Sequence, residues 1–549
     1  MKKKSTIKWI IGCFKRHIPA IIAISLLSSL ISVCSVGLIM VSRNILNDAQ
    51  AHSTDSLYKN VIFLGGLLLL QIIANVIKGI TRAHVSGKMD MSLKSQLYKH
   101  LIKKDYSSLT RMHSGEVVNR FTSDVDVVVS GFSSIIPNTI SIFTKLLAGI
   151  GAVLFLNPYV ALVIVAVGFV FPLLGRLLSN KYKYLHKEAQ RTGGVIRSFL
   201  QESVQNIIVI KTFLANNPVK AKLSQLLKDN FKIKIKRNAI SVTTHTALYA
   251  GFSLGYYGIL IWGAFEVASG KLGVGTLFAF IELVAQLRHP LQNVSGLLPQ
   301  YYSMIASAER LEELEDLPEE AKPLDIDANE LYSRITAISG KNISFGYEGR
   351  EVIKDSDFTI KKGSICAVMG ESGTGKSTLL RLLLGLYTPD NGTLVLETDG
   401  EDIPLDSTVR RIFSYVPQGD LILSGTIREN ITFLSGDVSD EQVEKAARQA
   451  VIYDFIASLP DGFDTVIGER GLGLSEGQLQ RIAIARALLC DAPVLLLDEC
   501  TSALDAATEL ALLENLKSQK DKTVILITHR TAALDICDTV LRVEDCKIC

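Results

Sequence analysis

Apolar residues gather into six runs near residues 18–41, 59–80, 132–156, 158–178, 239–265 and 275–300, all within the first 300 positions. A helix needs about 20 predominantly apolar residues to cross the hydrocarbon of a bilayer, so each run predicts one membrane-spanning helix. The lysines at positions 2–4 resemble the start of a signal peptide, but the run behind them is too long and has no clear small-residue cleavage pattern. A retained first span is expected. Basic residues are shared unevenly between the spans. Segments 1–17, 81–131 and 179–238 hold six, eight and thirteen Lys or Arg, whereas 42–58 holds only Arg43, the turn Asn157-Pro158 none, and 266–274 only Lys271. Basic loops stay preferentially on the cytoplasmic side, so both termini and both long loops are expected inside.

Those two inner connections, 81–131 and 179–238, are too long to be idle loops. Positions 92–101 and 192–213 repeat apolar residues at three- and four-residue steps without proline, which predicts helices. The simplest arrangement is membrane helices that extend well into the cytoplasm and meet something there. Residues 309–330 are acidic, punctuated by Pro318 and Pro323, and contain no apolar run. They read as a linker between a membrane domain, 1–308, and a second domain, 331–549. In that domain short apolar stretches at 365–369, 494–497 and 524–527 alternate with helical ones such as 377–386. This is the pattern of an α/β domain with a largely parallel sheet. The fold class expected is a multidomain membrane protein, an all-α six-helix domain followed by an α/β domain.

Composition adds limits. With 549 residues, 48% hydrophobic and 21% charged, and a mean hydropathy of +0.28, the chain is neither disordered nor collagen-like. A net charge of +3 gives no reason to expect a nucleic-acid partner. That sum hides an asymmetry: residues 1–330 carry 36 basic and 22 acidic groups, and 331–549 carry 22 basic and 33 acidic. The eight cysteines are scattered, which argues against a disulfide framework and for a reducing cytosol. Cys546-Lys547-Ile548-Cys549 has metal-ligand spacing but no second pair, so zinc is not expected there.

Chemistry concentrates in the second half. Gly370-Glu371-Ser372-Gly373-Thr374-Gly375-Lys376-Ser377 fits G-x-x-x-x-G-K-[ST], with an apolar strand before it and a helix after it. Glycines allow backbone N–H groups to turn inward around phosphate oxygens at a helix N-terminus. Lys376 is expected to neutralise β/γ-phosphate charge and the Ser377 hydroxyl to ligate Mg²⁺. Leu495-Leu496-Leu497-Asp498-Glu499 is an apolar strand ending in two acids. Asp498 is expected to hold Mg²⁺, and Glu499 to polarise the attacking water.

Between these lies Leu474-Ser475-Glu476-Gly477-Gln478, ahead of a helical run. Ser475 alone reads as a helix N-cap. With its flanking motifs the pentapeptide resembles the L-S-G-G-Q signature of the ABC transporter superfamily, Glu476 being a variant at the middle position. The resemblance implies further roles. The phosphate loop Gly370, Ser372, Gly373, Gly375, Lys376 and Ser377, with Thr378 after it, would bind ATP. Tyr347, in Phe345-Gly346-Tyr347, is similar to the aromatic that stacks on adenine; the alternative is a strand tyrosine in the core. Gln418 resembles the Q-loop glutamine that touches Mg²⁺ and the lytic water. Gly468-Glu469-Arg470-Gly471 is similar to the loop that exporters set against cytoplasmic helices. Asp505, in Ser502-Ala503-Leu504-Asp505, falls in the D-loop, and His529 is similar to the switch histidine that senses γ-phosphate. In this family the signature of one nucleotide domain completes the phosphate loop of another. Ser475, Gly477 and Gln478 would then contact ATP held at Lys376 of a partner chain. A homodimer with two hydrolytic sites is favoured, and a heterodimer is the alternative.

The membrane half resembles the exporter branch as a half-transporter. His113-Ser114-Gly115-Glu116-Val117-Val118-Asn119-Arg120 with Ser123-Asp124-Val125 is similar to the first cytoplasmic loop of exporters, and Gln286-Leu287-Arg288-His289-Pro290-Leu291 to their sixth helix. Coupling helices are implied near 106–115 and 207–215, with Phe213 as the apolar knob of the second. Family members commonly run further beyond the position of His529, which casts doubt on any regulation by terminal helices. The implied activity is ATP-driven efflux across a bacterial plasma membrane by alternating access, of a peptide, a drug-like amphiphile or a lipid. The alternative is a membrane ATPase that gates or senses without net transport. No peptidase segment precedes the first span, which disfavours trimming of leader peptides. Lys145 and Glu282 fall inside spans at similar depth, where charge is costly unless paired or facing a cavity. They either pair, or face a cavity with Asn138, Gln71, Asn75 and Tyr256.

Overall fold

The computed structural model describes residues 2–112, 114–347, 349–419, 422–433, 438–468, 473–519 and 521–549, with side chains apart from 2–5, 163–180, 183, 244–245, 248, 287, 289–296, 298 and 531–532. The chain divides into two compact units: residues 1–99 with 115–316, and residues 100–114 with 317–549.

The helices up to the acidic segment are α1 (Lys2–Phe14), α2 (Ile18–Gln50), α3 (Thr54–Leu101), α4 (Tyr106–Thr110), α5 (Ser114–Asn119), α6 (Val125–Leu156), α7 (Pro158–Gln205), α8 (Ile207–Thr212), α9 (Asn216–Ala268) and α10 (Val274–Glu315). All but α4 belong chiefly to the first unit, where α2, α6 and α10 pack against one another and α7 pairs with α9. The six apolar runs fall one each in α2, α3, α6, α7, α9 and α10. Among the described residues, Thr6–Gln50, Thr54–Leu101 and Ser114–Leu156 are long and apolar enough to cross a membrane. On α3, Ile62, Leu69, Ile72, Ile73, Val76 and Ile80 are exposed, as suits a surface bathed in lipid. The seam between α2 and α6 is made of small hydroxyl residues: Ser29 lies 3.1 Å from Thr144 and Ser32 2.9 Å from Ser141. Further along, Val85, Met89, Leu93 and Leu97 recur every four residues on α3 and are buried. They close a core with Phe14, Val128, Phe132 and Met304. Gly131 lets α6 and α10 touch there, since a Cβ would come within 2.9 Å of Met304.

Two local expectations change. The stretch 192–213 is not one helix: Asn206 leaves helical geometry (φ −103°, ψ 26°) and its amide donates to Glu202 O at 2.9 Å, which ends α7 and starts the short α8. The acidic segment 309–330 begins as helix, because Leu311 and Leu314 are buried while Glu312 accepts from Thr6 and Glu315 from Trp9 and Gln96. Its carboxylates are partners for α1 and α3 as well as solvated charges.

The second unit contains β1 (Ile335–Tyr347), β2 (Arg350–Lys361), β3 (Ile365–Gly370), β4 (Asn391–Thr398), β5 (Ile403–Pro404), β6 (Phe413–Val416), β7 (Gly425–Thr426), β8 (Val466–Ile467), β9 (Val494–Asp498), β10 (Thr523–Ile527), β11 (Thr539–Glu544) and β12 (Lys547–Ile548). Its helices are α11 (Ala328–Ser333), α12 (Lys376–Leu383), α13 (Ile427–Thr432), α14 (Asp440–Gln449), α15 (Tyr453–Ser458), α16 (Glu476–Leu489) and α17 (Ala506–Lys517). One sheet runs β12-β11-β3-β10-β9-β6, parallel except for β12, and an antiparallel sheet runs β2-β1-β4-β5. Strands β9 and β10 are buried along their whole length, as parallel strands covered on both faces must be. Because β10 lies between β3 and β9, the loops leaving all three strands emerge side by side at one sheet edge. Open α/β sheets bind ligands at that edge.

Candidate nucleotide site

The phosphate loop leaves β3 at Gly370 and enters α12 at Lys376. Gly375 has φ +111°, and a Cβ there would lie 2.7 Å from Val352, so only glycine fits the turn. Lys376 is buried and its Nζ donates to Gly370 O (2.9 Å) and Glu371 O (2.7 Å), folding the ammonium back across its own loop. Burial pushes its pKa down, and the nearby carboxylates of Glu499 and Asp498 oppose that shift. Ser372 and Gly373 are exposed at the crest of the loop and Thr378 is buried beneath it.

Ser377 Oγ donates to Asp498 Oδ1 at 3.1 Å, across 121 residues of sequence. Tyr415 OH donates to the other oxygen, Oδ2, at 3.4 Å. Asp498 is buried; burial raises its pKa, the Ser377 hydrogen bond opposes this, and Glu499 beside it pushes the same way as burial. A hydroxyl and one carboxylate side by side form a hard-oxygen set that suits Mg²⁺, which keeps most of its coordination for water and phosphate. Glu499 has φ +50°, unusual for a residue with a side chain, and its N–H is held by Ile527 O at 3.1 Å. In that conformation its carboxylate accepts from Gln418 Nε2 at 2.6 Å and lies 3.3 Å from His529 Nε2. Thus the contacts fall into three adjoining groups, Lys376 on its own loop, Ser377 and Tyr415 on Asp498, and Gln418 and His529 on Glu499, which the chain joins through the neighbours Lys376–Ser377 and Asp498–Glu499. Non-glycine residues in sparsely allowed backbone regions cluster at such sites.

The remaining candidates lie differently. Ser475 caps α16 by accepting from Gln478 N at 3.3 Å, while Gln478 Oε1 accepts from Ser475 N at 2.8 Å. The Gln478 amide therefore closes a capping box. Gly477 packs on the D-loop backbone, and a Cβ would come within 2.6 Å of Ala503 O. Asp505 caps α17, accepting from Thr508 N (3.0 Å) and Thr508 Oγ1 (2.8 Å), and those bonds hold its carboxyl below the ordinary range. Tyr347 sits half-buried in an aromatic group, its hydroxyl 3.3 Å from Thr378 Oγ1. Phe213 follows α8 and is exposed. Among the ion pairs of the described residues, none joins Lys145 on α6 to Glu282 on α10. Residues 469–471 of the exporter-like loop, His113 and the side chains at 287 and 289–291 lie outside the described residues.

Sequence reasoning missed three residues. Gln480 is buried and bridges α16 to the D-loop, donating to Ser502 Oγ at 3.2 Å and accepting from Ala503 N at 3.3 Å. Its helix also carries Gln478, Arg481 and Arg486, so no signal in the sequence set Gln480 apart. Tyr415, on Asp498, had none. Arg288, inside the last span, stacks over Tyr249 at 4.6 Å and carried the same signal as Lys145, a charge within an apolar run.

Residues 19–291 match the family described as ABC transporter transmembrane region, and residues 353–502 the family described as ABC transporter. An ATP-dependent lipid A-core flippase of Photobacterium profundum is 30% identical over 493 residues, covering 88% of this chain and 83% of that protein. The lipid A-core flippase of Haemophilus ducreyi is 30% identical over 559 residues, covering 98% and 94%. A solved structure of a bacterial Atm1-family ABC exporter with ATP bound has the same fold, with a TM-score of 0.80 at 24% identity over 97% of this chain and 94% of that one. The chain belongs to the ABC transporter family, as an exporter-type half-transporter: a multi-pass membrane protein whose ATP-binding domain is an ATPase coupled to transport.

Proposed function

We propose that two copies of this chain form a plasma-membrane exporter that moves an amphiphile outward by alternating access, with the N- and C-termini in the cytoplasm. The observation that carries this reading is the adjoining set Lys376, Ser377, Asp498, Glu499, Gln418 and His529 set against a signature that takes no part in it. Lys376 would neutralise the β/γ-phosphates. Ser377, Asp498 and Gln418 would hold Mg²⁺, which supplies charge neutralisation for the departing phosphate when bound. Glu499, already oriented by Gln418 and His529, would take the proton of the attacking water, and His529 would donate to the γ-phosphate. Tyr347 would stack on adenine. Ser475 and Gly477 would be presented to ATP in the partner chain, closing two sites per dimer. The cargo reading rests on the lipid A-core named for two relatives and on Lys145 and Glu282, charges inside spans that no ion pair among the described residues joins.

Co-expression of Lys376→Ala with Ser475→Arg tests the shared site. Each variant alone is expected to be inactive as an ATPase. In a mixed dimer both lesions fall on one site and the other is intact, so turnover returns in part; no recovery overturns the shared site. ATP-dependent uptake of lipid or drug-like amphiphiles into inverted vesicles tests export. ATPase activity without uptake across that panel favours the gating alternative.

A further inference from the structure

Part of the first cytoplasmic loop, residues 100–114, folds as a component of the nucleotide-binding unit. It is bonded in between Lys103 and Thr110. Asp105 N donates to Pro318 O (2.9 Å), Glu320 N to Lys103 O (2.9 Å), and the buried Lys104 Nζ to Leu317 O (2.7 Å). Arg410 pairs with Glu320 at 2.8 Å and donates to Leu384 O (2.9 Å) and Gly385 O (3.1 Å), tying this strip to the turn that follows α12.

Helix α4 sets Tyr106 edge-to-face on Tyr387, with centroids 5.7 Å apart and planes at 82°, while the hydroxyls of Thr110 and Tyr387 lie 3.3 Å apart. Tyr387 itself follows the phosphate-loop helix α12. On its other side it meets Tyr347 at 5.4 Å and 87°, and Phe345 at 5.3 Å and 50°. Phe345 and Tyr347 are in turn 5.0 Å apart at 88°. Edge-to-face pairs depend on ring orientation. Tyr347 is therefore held between Phe345 and Tyr387, and Tyr387 between that pair and Tyr106 of the cytoplasmic loop.

We propose that Tyr387 is a positioning residue that links the first cytoplasmic loop to Tyr347, so that the seating of this loop sets how firmly the adenine of ATP is held. The proposal rests on the reading of Tyr347 as the adenine-stacking residue. By linkage, ATP binding must favour the seated loop by the same factor. The base of the nucleotide thereby reports to the membrane side independently of the γ-phosphate.

The test uses the full-length chain in nanodiscs with Mg²⁺, letting ATP or inorganic tripolyphosphate compete with a fluorescent ATP analogue. Tyr106→Ala and Tyr387→Leu are expected to weaken ATP about 2- to 10-fold, the range one aromatic pair supplies, and to leave tripolyphosphate unchanged. Tyr387→Phe keeps the ring and is expected to behave as wild type. Equal weakening of both ligands, or no effect of Tyr106→Ala, overturns the proposal. Should Tyr387→Leu fail to fold, Tyr106→Ala carries the test. Tyr347→Ala separates the two readings. If it weakens ATP selectively and Tyr106→Ala does not, the link alone fails; if it does not, the adenine reading fails and the proposal with it.

Discussion

The two parts of the nucleotide machinery, phosphate loop and signature, are built on opposite plans within one unit. Around Lys376 the polar groups run from the buried Lys376 and Asp498 out to the exposed Gln418 and His529, and each meets another: ammonium to carbonyls, hydroxyl to carboxylate, carboxylate to amide and imidazole. Ser475, at the start of α16, is exposed, and the side chains around it hold their own helix end. One part is arranged as a receptor that a ligand's phosphates can enter by displacing internal bonds. The other is a stiff, solvent-facing edge, held by its cap, by Gln480 and by the close contact of Gly477 with Ala503. An edge of that kind can contact a ligand only if something brings the ligand to it.

The largest effect should separate the parts by chemistry. Glu499→Gln keeps the hydrogen bond from Gln418 within reach but removes the base, so turnover is expected to fall about 10²- to 10⁴-fold while ATP binding persists; phosphate release and nucleotide binding measured on one preparation check this. Near-normal hydrolysis would remove Glu499 from the role given to it. Gly477→Ala acts on the signature side. Its Cβ would collide with Ala503 O, at a cost of about 1–3 kcal/mol as overpacking does, which should lower the melting temperature by a few degrees and depress turnover without changing ATP affinity at Lys376. A variant as stable and active as wild type would show that the contact is not a constraint. The smallest effect compares two cysteines. Cys500, beside Glu499, is buried and its pKa is pushed up to about 12 by burial, whereas Cys490 at the end of α16 is exposed. A thiol reacts as thiolate, so a raised pKa keeps the reactive form scarce until the pH approaches that value. Maleimide at neutral pH should therefore label Cys490 ahead of Cys500, by peptide mass mapping, with Cys500 gaining reactivity only in strong alkali or on unfolding.

Much of this was visible in the chain before folding. The apolar runs lie in long helices because crossing a bilayer demands length and hydropathy, both local properties. The loop at Gly370–Ser377 was legible because its glycines and lysine are adjacent in sequence. What escaped was mostly pairing at a distance. The motifs already put Ser377 and Asp498 at one Mg²⁺ site, but Tyr415 meets the same carboxylate only once β6 and β9 are aligned. Gln478 and Asp505, which the family motifs imply as nucleotide contacts, each also closes a helix cap with a residue three positions away. The motif marks a position without stating which of two local uses the side chain has. The start of the acidic segment is helical although Leu311 and Leu314 are separated by polar residues, because Leu311 joins a core with α1, α3 and α6.

Residues 100–114 give the nucleotide-binding unit a boundary that the linear chain does not have. A fragment starting at 317 would leave Tyr387 without Tyr106 and Glu320 without Lys103. Grafting this ATPase onto another membrane domain would succeed only if the fifteen-residue insert travelled with it. In lineages that exchange modules, the two segments should be inherited together as one piece in two parts.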